Sequence, residues 1–310
     1  MIPHSISMTA TDSTDFPALL ISLSDELSRQ SFPPGALYVV ATPIGNLADI
    51  SVRALKVLSI VDAVACEDTR NTGQMMSRYG LSRPLLAAHQ HNEREVALKI
   101  IERLRNGDRI ALVSDAGTPA VSDPGARIVD EVRQAGLTVI PIAGASAAIA
   151  ALSAGGLLNE QFHFVGFLPA KEKQRDAVLE AFSTSAATLV FYEAPHRIAE
   201  TLDALLRAFG PQRRVVIARE LSKFFEQIHR CPLSEAMAWL NADANHQRGE
   251  FVLLIEGSTA APDAMAEAKR LLSLLLEECP VSQAAALAAK ITGMKKNALY
   301  ALALEMSGKE

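Results

Sequence analysis

The sequence predicts an α/β protein built as two α/β lobes with a small helical appendage at its C-terminal end. Three observations predict it. Short apolar runs alternate with amphipathic helical runs twice along the chain, which is the pattern of mostly parallel sheets covered on both faces. The run Arg109–Val113 reads as a buried parallel strand and leads straight into Ser114-Asp115-Ala116-Gly117-Thr118-Pro119-Ala120-Val121-Ser122-Asp123-Pro124-Gly125, a shaped loop where open α/β sheets bind ligands. After residue 263 the strand-like runs stop and only helical periodicity remains.

The elements follow in order. Residues 1–34 are rich in Ser and Thr and close on Pro33-Pro34, so a disordered extension is expected there, with a short helix near Pro17–Arg29. The first lobe spans 35–153. Its strands are expected at Leu37–Ala41, Ala63–Cys66, Arg109–Val113 and Thr138–Ile142, and its helices at Ile50–Leu58, Asn71–Tyr79, Glu93–Arg105, Ala126–Gln134 and Ala145–Ser153. Ala154-Gly155-Gly156-Leu157 breaks the pattern and reads as a hinge. The second lobe spans 154–259. Strands are expected at Phe162–Phe167, Thr188–Tyr192, Arg214–Ala218 and Phe251–Glu256, with a possible added strand at Glu226–Cys231. Its helices are expected at Lys173–Phe182, Arg197–Ala208 and Leu233–Leu240. Ser258–Pro262 reads as a linker. The tail, 260–310, should hold helices at Ala264–Glu278, Gln283–Ile291 and Lys295–Met306, with Ser282 as an N-cap and Gly293 in a turn resembling a helix-turn-helix.

Composition narrows the function. The chain has 310 residues, 49% hydrophobic and 21% charged, which is ordinary for a globular protein. No run approaches the ~18 apolar residues of a membrane span, and no secretory signal is read at the start, so a cytoplasmic protein without a membrane partner is expected. Cys66, Cys231 and Cys279 are distant and odd in number, as suits reduced thiols. The net charge is −5, and four acids against one Arg in residues 1–34 carry −3 of it. That is not the basic footprint of a nucleic-acid binder, so any RNA contact must come from a local patch.

The loops point to a class of ligand. The 114–125 loop carries two carboxylates and no Lys or Arg. A phosphate cradle normally adds a cation to its backbone N–H groups. This loop offers acceptors instead, which suit ribose hydroxyls, an ammonium or a sulfonium. The expected crevice is therefore lysine-free and takes a cationic adenosine ligand such as S-adenosyl-L-methionine. The loop Ala41–Ile50 puts Pro43 and Gly45 where a dinucleotide fingerprint would be, and there is no P-loop lysine, so a nucleotide hydrolase or oxidoreductase is disfavoured. The loop Ile142–Ala147 has small side chains that allow close approach of a purine or thioether. In the second lobe, Tyr192–Arg197 and Ala218–Lys223 start at strand ends and bring two carboxylates, a His, two Arg and a Lys to one edge, either as a substrate site or as a solvated ion-pair network. His89 and His91 lack a third ligand with zinc spacing, so no metal site is expected.

Taken together, Leu37–Leu47, Glu67–Arg70, Ser114–Pro119, Ser122–Gly125, Glu193–Arg197 and Ala218–Leu221 resemble the ribosomal RNA small-subunit methyltransferase I family. That family lies among the tetrapyrrole-methylase-like, class III S-adenosylmethionine-dependent methyltransferases. The resemblance covers about 35–258, and the helical tail resembles the family's C-terminal appendage. It implies a cofactor cleft between the lobes, a homodimer, and 2′-O-methylation of a cytidine ribose in the decoding region of small-subunit ribosomal RNA. By motif position it places the cofactor against Ile44, Asp115, Thr118, Ser146 and Ala147, and near Tyr192 and Ala218. For the 2′-hydroxyl proton the candidate acceptors are Glu220 and Glu193, with His196 third. Arg197, Arg219 and Lys223 would hold RNA phosphates, and Lys295 and Lys296 in the tail would add contacts. Two alternatives stay open: a class III methylase acting on a tetrapyrrole precursor, and a non-catalytic RNA-binding module.

Overall fold

A computed structural model describes residues 16–89, 92–258 and 264–307. Helix α1 (Phe16–Ser28) precedes the first sheet and lies against α2 (Val52–Ile60), where a short helix is expected near Pro17–Arg29. Residues 1–15 lie outside the described residues.

The first sheet has five parallel strands in the order β3-β2-β4-β1-β5. These are β1 (Ala36–Val40), β2 (Ala63–Cys66), β3 (Leu85–Ala87), β4 (Ile110–Val113) and β5 (Thr138–Ile142). β2 and β4 are apolar and buried along their whole length, as strands covered on both faces must be. Strand β3 has only three residues on the sheet edge, too short to stand out from the sequence. One face packs under α2 and α3 (Thr69–Arg78) around Tyr38, Leu58 and Met76. The other packs under α4 (Glu93–Arg105) and α5 (Ala126–Gln134) around Leu37, Ile100 and Ile128. Each fully buried residue of this kind stabilises by roughly 1.5–3 kcal/mol. The Tyr38 hydroxyl donates to the Pro33 carbonyl at 2.7 Å, which ties the incoming chain to the sheet.

The second sheet also has five strands, in the order β6-β7-β10-β8-β9. They are β6 (Phe162–Phe167), β7 (Thr188–Glu193), β8 (Arg214–Arg219), β9 (Gln227–Pro232) and β10 (Phe251–Ile255). Only β6 and β7 pair in parallel; β10 runs antiparallel to β7 and β8, and β8 runs antiparallel to β9. The expectation of a mostly parallel sheet therefore fails in this lobe. The reason is the short link of β8 to β9, too short for a parallel crossover. Helices α7 (Glu172–Ala181), α8 (Ile198–Phe209) and α9 (Leu233–Ala242) cover one face.

Helix α6 (Ala147–Gly155) covers the other face, packing Ala148 and Ala151 against Val190, Val216 and Leu254. The chain thus passes to the second sheet at Gly144–Ser146, ahead of α6. The glycines expected to form a hinge are close-packed. A Cβ on Gly155 would stand 2.6 Å from Leu254 Cδ1, and the Gly156 carbonyl accepts from Arg230 at 2.8 Å.

The tail forms α10 (Ala264–Glu278), α11 (Val281–Thr292) and α12 (Lys296–Ser307) around a small core of their own, including Leu272, Ala285 and Leu299. Helix α11 starts two residues earlier than expected, so Pro280 takes the cap position and Ser282 lies inside the first turn. Gly293 ends α11 in the left-handed conformation, φ 72°. Among the described residues, no helix is long and apolar enough to cross a membrane.

Candidate functional site

The loops that leave the carboxyl ends of β1, β4 and β5 are stitched together by backbone. Thr42 and Gly117 exchange two hydrogen bonds, at 2.8 and 3.1 Å, and the Thr118 hydroxyl donates to the Ala145 carbonyl at 3.1 Å. This needs a left-handed turn at Gly117, φ 77°, which glycine adopts without strain. Facing them is the end of the second sheet. There the antiparallel register sets Phe251, the first residue of β10, beside Glu193 and Arg219, the last residues of β7 and β8.

Between these two edges lies a cavity of about 300 Å³. Its apolar walls include Ile44, Val121, Phe167 and Leu221, and its polar lining includes Thr118, Ser146, Asp123 and Glu250. Tyr192 forms part of the wall, edge-on to Phe164 and Phe167 at 5.0 and 5.6 Å. Its hydroxyl accepts from the Ala148 amide at 3.2 Å, and burial pushes the phenol pKa up. Ala120, Ser122, Glu220 and Ser222 are the non-glycine residues with positive φ among the described residues, and all four lie in the two loops that border the cavity. Strain of this kind, on the order of 1–3 kcal/mol per residue, persists where the surroundings enforce it and clusters at functional sites.

The cavity is electronegative. Burial, and then the charge of Glu67, push the Asp123 carboxyl up to about 6, with Asp115 adding to the shift and the Ser114 hydroxyl opposing it. No ion pair to Asp123 occurs among the described residues. Lys223 does reach the lining, contrary to the expected lysine-free crevice. Its ammonium is already held at 2.7 Å by both Glu220 and Glu250, so it adds little free positive charge.

Of the cofactor positions expected from sequence, Ile44, Thr118, Ser146, Ala147 and Tyr192 line the cavity. Asp115 does not: it is exposed and accepts from the Asp68 amide at 3.3 Å and from Asn71 at 2.8 Å, which pins the loop to the start of α3. Ala218 does not either, because its side chain is packed under α6. Among the proton-acceptor candidates, Glu193 is fully engaged. One oxygen accepts from the Ala194 amide at 2.8 Å and lies 3.5 Å from Arg197, and the other accepts from Thr201 at 2.6 Å. His196 is exposed and outside the lining. Glu220 stays beside the cavity. Burial raises its pKa, but the Lys223 hydrogen bond, the Glu250 amide and the Lys223 and Arg219 charges outweigh this and hold it below the usual range.

The phosphate contacts expected of the second lobe are corrected too. Arg197 donates to the carbonyls of Leu168 and Pro169, at 2.7 and 3.2 Å. Arg219 is 5% exposed and serves Gln227, Arg248 and Phe225. Both fold the loops rather than reach out of them. Lys295 and Lys296 are exposed at the start of α12. Gln90 and His91 lie outside the described residues. Asp123, Phe167 and Glu250–Val252 were not singled out from sequence. Asp123 sat inside the loop already marked as the ligand site, and Glu250–Val252 could be found only once β10 was known to run antiparallel.

The arrangement matches known proteins. A family profile described as tetrapyrrole (corrin/porphyrin) methylases matches residues 36–237, and one described as the RsmI C-terminal HTH domain matches 262–307. Two proteins called ribosomal RNA small subunit methyltransferase I are similar along nearly the whole chain. The one from Pseudomonas aeruginosa is 52% identical over 279 residues, 89% of this chain and 99% of that protein. The one from Escherichia coli O157:H7 is 50% identical over 275 residues, 88% and 96%. The solved structure of a cobalamin biosynthetic enzyme, cobalt precorrin-4 methyltransferase, shares the fold with a TM-score of 0.55 at 18% identity, over 73% of this chain and 98% of that one.

Proposed function

The chain belongs to the ribosomal RNA small-subunit methyltransferase I family, within the tetrapyrrole methylases, and from that premise we propose that it methylates the 2′-oxygen of a cytidine ribose in small-subunit ribosomal RNA with S-adenosyl-L-methionine. The observation that carries the cofactor is the electronegative cavity, where Asp123 has no ion-pair partner among the described residues and the lysine is already neutralised. Such a lining repels phosphates and fits a cationic adenosine. The cofactor supplies a methyl group already activated on a sulfonium. Orientation of the acceptor then supplies much of the rate, since well-aligned intramolecular reactions reach effective molarities of ~10⁵–10⁸ M.

Within this reading Thr118, Ser146 and the flat walls of Ile44 and Tyr192 hold the nucleoside part, and Asp123 faces the positive charge. Glu220 takes the acceptor proton. Its Oε1 is bound by Lys223 at 2.7 Å and by the Glu250 amide at 3.0 Å, while Oε2 has no partner among the described residues. Glu220→Gln should lower the single-turnover methyl-transfer rate by ~10²-fold or more while leaving cofactor affinity within about twofold. An unchanged rate would remove Glu220 from that role.

The α10–α12 tail has its own core, so deleting 262–310 should leave cofactor binding intact and weaken RNA binding. More finely, replacing Lys295 and Lys296 by Ala should reduce the salt dependence of RNA binding by a slope of about 1 to 2. A truncated protein that fails to fold would make the tail structural. The proposal extends to a homodimer working in the cytoplasm. It is tested by calorimetry with S-adenosylmethionine, ATP and NAD, and by methyl transfer to small ribosomal subunits, naked RNA and a precorrin. Tight ATP binding with none for S-adenosylmethionine, or transfer to the precorrin alone, overturns it.

A further inference from the structure

Beside the cofactor cavity, and sharing Lys223 with it, runs an open groove of about 840 Å³. One wall is the exposed face of α3, with Gln74, Met75 and Arg78, continued by Asn46 and Leu47; the other is the loop after β8, with Ser222 and Phe224. Phe224 is 93% exposed and Phe225 66%, the two rings standing perpendicular at 5.0 Å. Large apolar side chains this exposed cost free energy in water unless something covers them.

The loop that carries them is rigid. The Ser222 amide donates to Glu226 at 2.6 Å, Arg219 holds the Phe225 carbonyl at 3.2 Å, and the Ser222 hydroxyl bonds Asp49 of the other lobe. The left-handed conformations of Glu220 and Ser222, φ 51° and 67°, shape it further. The floor is closed where Lys223 crosses Gly45: a Cβ there would stand 2.4 Å from Lys223 Cγ. The groove is thus preformed by both lobes.

We propose that this groove seats an unpaired nucleobase of the acceptor RNA, stacked on Phe224 with its edge read by Gln74 and its phosphate met by Arg78. The inference rests on the methyltransferase reading and names the part of the RNA that the site grips. Single-stranded RNA is recognised by stacking unpaired bases on aromatic rings and bonding their edges. Gln74 presents a planar donor–acceptor pair of the kind a base edge needs. Neither Gln74 nor Arg78 has a side-chain hydrogen-bond or ion-pair partner among the described residues, and both are exposed, four residues apart on one face of α3. The groove adjoins the cofactor cavity, with Lys223 in the lining of both, so a base held here brings the neighbouring ribose toward the methyl donor.

The test compares wild type, Phe224→Ala, Phe224→Trp and Gln74→Ala. It uses unmethylated small ribosomal subunits and a fluorescein-labelled single-stranded RNA oligonucleotide as probes. Phe224→Ala should weaken RNA binding and raise KM tenfold or more, with cofactor affinity within twofold; Phe224→Trp should restore both. Gln74→Ala should weaken binding less and shift base preference. Unchanged RNA affinity in Phe224→Ala overturns the proposal. So does loss of self-association with RNA affinity intact, since the ring pair would then face a second copy of the chain. Failure of the wild type itself to bind or methylate small-subunit RNA would refute the methyltransferase reading before any variant is compared.

Discussion

Cofactor affinity should rise roughly tenfold between pH 5 and pH 7, and Asp123→Asn should abolish that rise while weakening binding about tenfold at pH 7. The sign follows from the site. The folded protein holds the Asp123 carboxyl at about 6, against an ordinary value of 3.8, because burial and the neighbouring Glu67 and Asp115 carboxylates disfavour its charge. Glu67 is itself raised by burial, then by Asp115 and Asp68, with His89 opposing. A carboxyl raised on folding stabilises the fold below the unfolded value and loses that contribution as pH rises through about 6. A bound cation reverses the preference by favouring the ionised form, so binding expels a proton near pH 6 and tightens as pH rises. Each tenfold change in affinity is 1.4 kcal/mol. Calorimetry at pH 5, 6 and 7 checks it, with the demethylated product as control. That product lacks the sulfonium charge and should show a smaller slope. Equal affinity across the series in the wild type would end the assignment of Asp123 as counter-charge.

The same residue shows what the sequence could and could not reveal. The first lobe was legible because its strands are continuous apolar runs with loops of unusual composition at their carboxyl ends. Four of the five first-lobe cofactor positions that the family resemblance implies, Ile44, Thr118, Ser146 and Ala147, line the cavity. The second lobe was less legible because a parallel and an antiparallel buried strand have the same composition. With β10 taken as parallel, its last residues would have lain at the ligand edge; in fact its first ones do, and Glu250 and Phe251 enter the site. Charge was legible as type but not as direction. Arg197, Arg219 and Lys223 cluster at one edge as expected, yet each is turned inward onto a carbonyl or carboxylate. Residue spacing along a loop does not encode which way a long side chain folds. The exposed aromatics carry no mark in the sequence, since nothing in Phe224-Phe225 itself tells that the loop leaves the rings 93% and 66% exposed.

That inward turn makes a second large effect testable. Arg197→Ala should destabilise the second lobe by about 3 kcal/mol or more, rather than merely weaken RNA binding. Glu193 is 2% exposed, and Arg197 supplies its cationic neighbour at 3.5 Å as well as bonds to Leu168 and Pro169. Removing one partner of a buried pair leaves an uncompensated charge, which typically costs 3–5 kcal/mol. For a lobe of about 100 residues the unfolding midpoint should fall by roughly 12–24 °C. Glu193→Gln in the same chain removes the stranded charge, keeps one carbonyl oxygen to accept from the Ala194 amide, and turns its NH2 to donate to the Thr201 hydroxyl oxygen. The double variant should therefore recover part of the loss, and the non-additivity measures the coupling. A phosphate-binding role predicts the opposite pattern: an unchanged midpoint, a reduced salt slope for RNA, and no rescue by Glu193→Gln. Thermal unfolding of the single and double variants, read beside RNA binding at two salt concentrations well below the midpoint, separates the two. The internal position of Arg197 also accounts for the neighbouring geometry. By fixing the Leu168 and Pro169 carbonyls it sets the end of β6, and with it Phe167, whose ring closes the cavity wall against Tyr192.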